Sequence, residues 1–260
     1  RIKTRLTESE YGSMFVRESR ICVRIAYKQE EREMSALKYF FWSLGLFALL
    51  SVLSCSTGYN QYANEYFEQG LQFYDEQEYG RSIESFSKVL ELAPEGQENN
   101  VVFFNRGQGY YKQRQYDLAI SDYTNARALT ADEDREMQFD IYFARGSAYS
   151  AKGLPRAAIK DYSIAIEVMP EHEDIKNVYT QRGWAYLKDE QLDEAIADFS
   201  EVLARDMQYD PAYYGRGMAL YRKGQYDLAI FDAKKAHKLK PENAEYDDLL
   251  FLVQSAMNNQ

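Results

Sequence analysis

Histidine and cysteine are scarce: the 260-residue chain has two of each. The cysteines, Cys22 and Cys55, cannot build a disulfide framework and permit one bridge at most. His172 and His237 stand at unrelated spacing from either cysteine. A zinc site needs about four clustered nitrogen and sulfur ligands, and the sequence offers no such cluster. No glycine-rich phosphate loop is present, and the acidic run Asp132, Glu133 and Asp134 lacks the glycine and terminal glutamate of a calcium loop. A nucleophile beside a base is equally hard to assemble from so few candidates. The expectation is a protein without catalysis, cofactor, metal or small-molecule substrate. Positive charge is also in deficit: 31 Lys and Arg stand against 41 Asp and Glu, a net charge of −10. Such a chain lacks the basic patch that a general nucleic-acid binder needs to neutralise phosphates.

What the chain does have is a globular hydrophobic fraction of 45%, an excess of tyrosine at 23 residues, and one long apolar run. Residues 1–33 are charged and irregular, and read as an unstructured or non-native upstream segment. Residues 34–54, "MSALKYFFWSLGLFALLSVLS", carry an uncharged stretch from Tyr39 to Leu53. It is short for a bilayer-spanning helix of about 20 residues and suits the apolar region of a signal peptide. A buried core helix and an uncleaved membrane anchor are the alternatives. In the anchored case the excess of Lys and Arg in residues 1–38 favours a cytoplasmic tail.

The tetrapeptide Val52-Leu53-Ser54-Cys55 resembles the bacterial lipobox: a branched apolar residue, a tolerant position, a small residue and then cysteine. The resemblance implies acylation of Cys55 and cleavage before it. Residues 34–54 would then be a lipoprotein signal peptide and residues 55–62 a lipidated cysteine with a short tether. It further implies that the bilayer is a partner through acylated Cys55, with the protein on the periplasmic or cell-surface face. Two or three acyl chains hold firmly where one binds marginally. Met34 opens a signal peptide of ordinary length, Met14 being a less tidy start, and cleavage would also remove Cys22.

The remainder is repetitive. Gly107, Gly146, Gly183 and Gly217 each follow an arginine and precede, by twelve residues, an Ala-Ile pair: Ala119-Ile120, Ala158-Ile159, Ala195-Ile196 and Ala229-Ile230. An earlier copy has Gly70 with Ser82-Ile83 at the same offset. This grammar resembles the tetratricopeptide repeat (TPR), a unit of about 34 residues. The resemblance implies an all-α solenoid of five helix-turn-helix units, 63–96, 100–133, 139–172, 176–209 and 210–243. Residues 244–260 then form a capping helix and tail. Within each unit apolar residues recur at i, i+3, i+4 and i+7, the pattern of amphipathic helices. Glycine at repeat position 8 and a small residue at position 20 let the paired helices approach.

Two sets of side chains stand out. Arginine at repeat position 7 and aspartate at position 23 occur together in four units: Arg106 with Asp122, Arg145 with Asp161, Arg182 with Asp198 and Arg216 with Asp232. The first unit has neither. Antiparallel helices put the two positions at similar height, so an ion pair within the unit is expected; two independent solvated charges are the alternative. The second set follows from the resemblance, which implies that positions 2, 5, 9, 12 and 13 of each first helix line a concave groove. Those positions include Phe67, Leu71, Tyr74, Phe104, Tyr111, Lys112, Phe143, Trp184, Leu187, Lys188, Tyr214, Met218, Tyr221 and Arg222. They read either as padding for the neighbouring unit or as anchors for a protein or peptide partner, aromatics being prominent in binding hot spots. Sugar stacking, in a glycan- or cell-wall-binding lipoprotein, is the competing use. Phe67 and Leu71 occupy the places where some TPR domains carry a clamp for a C-terminal carboxylate, so that mode is not expected here.

Overall fold

The computed structural model describes residues 47–96 and 98–259, with side chains from Gln61 onward. The upstream segment and most of the signal-peptide reading lie outside the described residues. Among the described residues there are eleven helices and no strand. They are α1 (Phe47–Asp75), α2 (Tyr79–Leu92), α3 (Asn99–Lys112), α4 (Tyr116–Leu129), α5 (Arg135–Lys152), α6 (Pro155–Val168), α7 (Ile175–Lys188), α8 (Leu192–Arg205), α9 (Asp210–Arg222), α10 (Tyr226–Leu239) and α11 (Ala244–Asn258). Successive pairs form the five expected hairpins, with α11 against the last. Residues 55–62, expected as a tether, continue as helix into the first unit. The second junction is shorter than its sequence suggests, because α5 begins at Arg135, capped by the Asp134 side chain on the Met137 amide at 3.1 Å.

Each hairpin turns at repeat position 15, which is left-handed in all five units: Gln77, Arg114, Gly153, Glu190 and Gly224 have φ between 61 and 85°. The amide beyond each reaches back over the helix end, as Gln115 does to the Tyr110 carbonyl at 2.9 Å. This satisfies terminal carbonyls that the helix cannot.

The rule for packing inside a unit is glycine against an aromatic face. A Cβ added at Gly107 would lie 2.8 Å from the Tyr123 ring, and one at Gly146 would lie 2.8 Å from the Tyr162 ring. Gly70 faces Phe86 and Gly183 faces Phe199 in the same way. These four rings, at position 24, are essentially inaccessible to solvent. In the fifth unit position 24 is Ala233, and Leu249 of α11 supplies the missing bulk beside Gly217. Small residues at position 20 are also buried, and Ser82 donates a hydrogen bond to the Gly70 carbonyl at 2.8 Å.

Units join through clusters that straddle each boundary. Phe104 and Tyr123 of the second unit pack with Met137, Ile141 and Ala144 of the third. Phe143 and Tyr162 then pack with Ile175 and Val178 of the fourth. A larger cluster ties the fourth and fifth units to Tyr246, Leu249 and Val253 of α11. No unit buries its apolar surface alone, as expected of a stacked array. Consecutive first helices touch along the array, whereas consecutive second helices are splayed. The row of first helices is therefore the inner side of the curve.

Candidate functional site

The Arg–Asp pairs form in all four units and are more buried than solvated surface pairs. Arg145 Nε and Nη2 donate to the two oxygens of Asp161 at 2.7 and 2.9 Å, with side chains 16% and 4% exposed. Arg106–Asp122, Arg182–Asp198 and Arg216–Asp232 repeat this two-pronged geometry at 2.7–2.9 Å. Burial opposes the charge on Arg145, but the hydrogen bonds and attraction of Asp161 outweigh it and hold the guanidinium above its ordinary value.

The third guanidinium nitrogen does something the sequence reading missed. Arg106 Nη1 donates to Ser87 Oγ (3.1 Å), Arg145 to Thr124 Oγ1 (3.2 Å), Arg182 to Ser163 Oγ (3.0 Å) and Arg216 to Ser200 Oγ (3.1 Å). Each hydroxyl sits at position 25 of the preceding unit. A ladder thus runs from Ser87 to Asp232, joining every unit to the next. The signal was in the sequence: position 25 is Ser or Thr in the first four units and Lys234 in the fifth, which has no following arginine of this kind.

The groove candidates separate into three groups. Phe104, Phe143, Leu187 and Tyr214 are 3–9% exposed and belong to the core. The three aromatic rings fold onto the buried position-24 ring or onto neighbouring aromatics, as Phe104 does on Tyr123 at 5.7 Å and Phe143 on Tyr162 at 6.0 Å. As residues presented to a partner, Phe104, Leu187 and Tyr214 are corrected to packing residues. Phe67, Leu71, Trp184, Met218 and Tyr221 are half-buried and also engaged: Phe67 meets Phe86 edge-on at 5.7 Å, Trp184 meets Phe199 at 5.2 Å, and Tyr221 meets Tyr226 at 5.7 Å. Arg222 is not a waiting cation, since its Nη1 donates to the Leu187 carbonyl at 3.1 Å and to Glu190 at 3.4 Å. Lys188 is exposed at the end of α7.

The remaining candidates converge. Tyr74 of α1, Tyr111 and Lys112 of α3, and Phe143 of α5 line one open cavity of about 40 Å³ on the inner side. Gln108, Tyr123, Ala144 and Ser147 complete it. Three units therefore contribute, with Tyr123 as a buried floor. Tyr74 and Tyr111 are held by the tyrosines that open the following helices, Tyr79 edge-on at 5.4 Å and Tyr116 tilted at 5.7 Å. Burial pushes the Tyr111 phenol up to about 12, with Tyr116 adding to it. Burial likewise lifts Tyr74 and Tyr123 above the usual range, helped by neighbouring tyrosines. All three phenols stay neutral at physiological pH and can donate hydrogen bonds. Among the described residues Lys112 forms no ion pair. The result is an apolar cup with hydroxyl and amide groups and one uncommitted cation at its rim.

The two histidines are structural. The His172 ring stacks on Phe139 at 3.9 Å, with Nε2 2.9 Å from Glu136 and Nδ1 accepting from the Asp174 amide at 3.1 Å. His237 Nδ1 lies 2.7 Å from Asp247. Among the described residues no three side chains are grouped to hold a metal ion, and no helix is long and apolar enough to cross a membrane.

Fold and inner cup together define a helical-hairpin solenoid with a concave inner surface. Residues 139–172, 177–208 and 211–243 match the tetratricopeptide repeat family, so the third, fourth and fifth units are tetratricopeptide repeats. A tetratricopeptide repeat protein from Parabacteroides merdae is similar in structure, with TM-score 0.65 and 22% identity, over 76% of this chain and 77% of that one. YrrB, described as a TPR protein with an unusual peptide-binding site, has TM-score 0.59 and 20% identity over 70% of this chain and 88% of that one. Both likenesses show the fold alone. Among curated proteins, the DnaJ homolog subfamily C member 7 homolog of Dictyostelium discoideum is 27% identical over 164 residues. That match takes in 59% of this chain but 30% of the relative, so the chain spans under a third of that protein.

Proposed function

We propose that this protein is a lipid-anchored, non-catalytic TPR adaptor on the bacterial envelope that holds a protein or peptide partner along its inner surface. One observation carries the binding part: three consecutive units build a shared cup from Tyr74, Tyr111, Phe143 and Tyr123, with Lys112 uncommitted at the rim. The cup accepts the end of one apolar side chain from a partner, and Lys112 and the phenols meet its polar groups. A peptide-binding TPR protein among the structural neighbours supports this use of the fold. Sugar stacking has less support, because the Tyr74 and Tyr111 rings are already engaged by Tyr79 and Tyr116.

The anchoring part rests on Val52-Leu53-Ser54-Cys55 and the apolar run before it. Eight helical residues from Cys55 to Tyr62 extend only about 12 Å, keeping the solenoid close to a membrane. The test of anchoring is metabolic labelling with a fatty-acid analogue in cells producing wild type or Cys55→Ala. The expected result is label on the wild type alone. Unlabelled wild-type protein rejects the anchor while leaving the cup untouched.

A further inference from the structure

The repeat supplies its own control for surface composition. Positions 19, 22, 26 and 29 of each second helix lie along its outer side, with position 25 at the edge toward the next unit. In α2 they are Arg81, Glu84, Ser87, Lys88 and Glu91; in α8 they are Glu194, Ala197, Ser200, Glu201 and Ala204. In α4 they are Leu118, Ser121, Thr124, Asn125 and Ala128, and in α6 Ala157, Lys160, Ser163, Ile164 and Glu167. Only α10 combines two large apolar residues with three lysines there: Leu228, Phe231, Lys234, Lys235 and Lys238. Leu228 and Phe231 are 58% and 56% exposed. They stand one turn apart on the same face, and the Lys235 ammonium lies 6.0 Å from the Phe231 ring. Asp227 is the one acidic side chain on that face of α10, because Asp232 is buried against Arg216. The nearest second helix, α8, sets Glu194 and Glu201 at the matching places. Three lysines and two protruding apolar side chains on one helix face are anomalous in a chain of net charge −10.

We infer that the outer face of α10 is a docking surface for an anionic lipid bilayer. Convexity selects the bilayer over a peptide. The face lies on the outer row of splayed second helices, where an extended peptide would bury little, and its lysines match the charge of lipid phosphates. A bilayer interface takes in protruding apolar side chains without a preformed pocket, while lysines around them meet lipid phosphates. This reading stands on α10 alone and does not depend on the cup or on Cys55. Combined with an anchor at the first unit, it lays the solenoid along the membrane instead of projecting from it.

The test uses the full chain with vesicles of phosphatidylglycerol or of phosphatidylcholine. Acetylation of lysines is followed by mass spectrometry, with Lys188 on the inner side as internal reference. A lysine near an anionic surface biases contact roughly fivefold, so labelling of Lys234, Lys235 and Lys238 falls at least about fivefold relative to Lys188 on phosphatidylglycerol. The protection disappears at high salt, on phosphatidylcholine, and in Leu228→Ser/Phe231→Ser, two exposed sites where the fold is retained. Equal labelling on both vesicle types overturns the inference. Protection that persists without vesicles also overturns it and assigns the face to a protein contact.

Discussion

Removing one partner of an Arg–Asp rung has a cost that the structure sets well above that of a surface ion pair. In the third unit the Asp161 side chain is 4% exposed and Arg145 is 16% exposed. Asp161→Leu leaves a largely buried guanidinium with Thr124 Oγ1 as its remaining hydrogen-bond acceptor in the rung. Loss of one member of a buried pair costs about 3–5 kcal/mol, and the residual exposure of Arg145 places this case near about 3 kcal/mol. Arg145→Met strands the more buried carboxylate and costs at least as much. The double variant replaces both charges by apolar groups and is expected within about 1–2 kcal/mol of wild type, since buried pairs often exchange for apolar ones near neutrally. The coupling energy is therefore at least about 4 kcal/mol. Repeat arrays depart from two-state unfolding, so native-state hydrogen exchange of the α5 and α6 amides is the fitting assay. Single losses within about 0.2–1 kcal/mol, the range of exposed pairs, together with coupling below about 0.5 kcal/mol, refute the reasoning.

Gln77→Gly raises stability by about 0.5–1 kcal/mol, because the residue holds a left-handed φ of 62°; an equal or lower chemical-denaturation midpoint counts against this. Gly215→Ala lowers stability by about 1–3 kcal/mol, since its Cβ would lie 2.3 Å from Phe199 in a filled core; wild-type melting temperature in that variant is the contrary result. At high pH the buried phenols destabilise the fold. Their folded pKa values are raised, Tyr111 and Tyr214 to about 12, so stability is flat below the unfolded value of about 10 and falls as pH climbs through the folded values. Each contributes about 1.4 kcal/mol per pH unit within that window. Tyr111→Phe removes one proton from the slope; phenolate absorbance showing every tyrosine ionised near 10 in the folded protein contradicts this.

The repeat grammar made the fold readable. Gly107 and Tyr123, or Arg145 and Asp161, recur at fixed offsets because every unit solves the same packing problem. The ladder hydroxyls were missed because Ser87 and Thr124 act on the following unit, and a reading confined to one repeat gives them no partner. The groove was over-assigned for a related reason. Position along a helix indicates which side a residue faces, not whether a neighbouring ring covers it. Phe104 and Tyr214 point inward along the array but are closed off by Tyr123, and by Trp184 and Tyr246. The cup required three units at once, so Gln108 and Ser147 carried no mark of their role. The proposed acylation of Cys55 rests on a short sequence motif and not on a packed site.

The binding claim is tested most directly by a photo-crosslinking amino acid placed at Gln108, on the rim of the cup, in the full chain in its native cells. A matching probe at Leu118 on the outer side serves as control. A defined adduct from Gln108 that is absent from Leu118 and lost on Tyr111→Ala or Lys112→Glu is the predicted result. Adducts that are the same from both positions, or that survive both substitutions, contradict the cup as the partner's binding site.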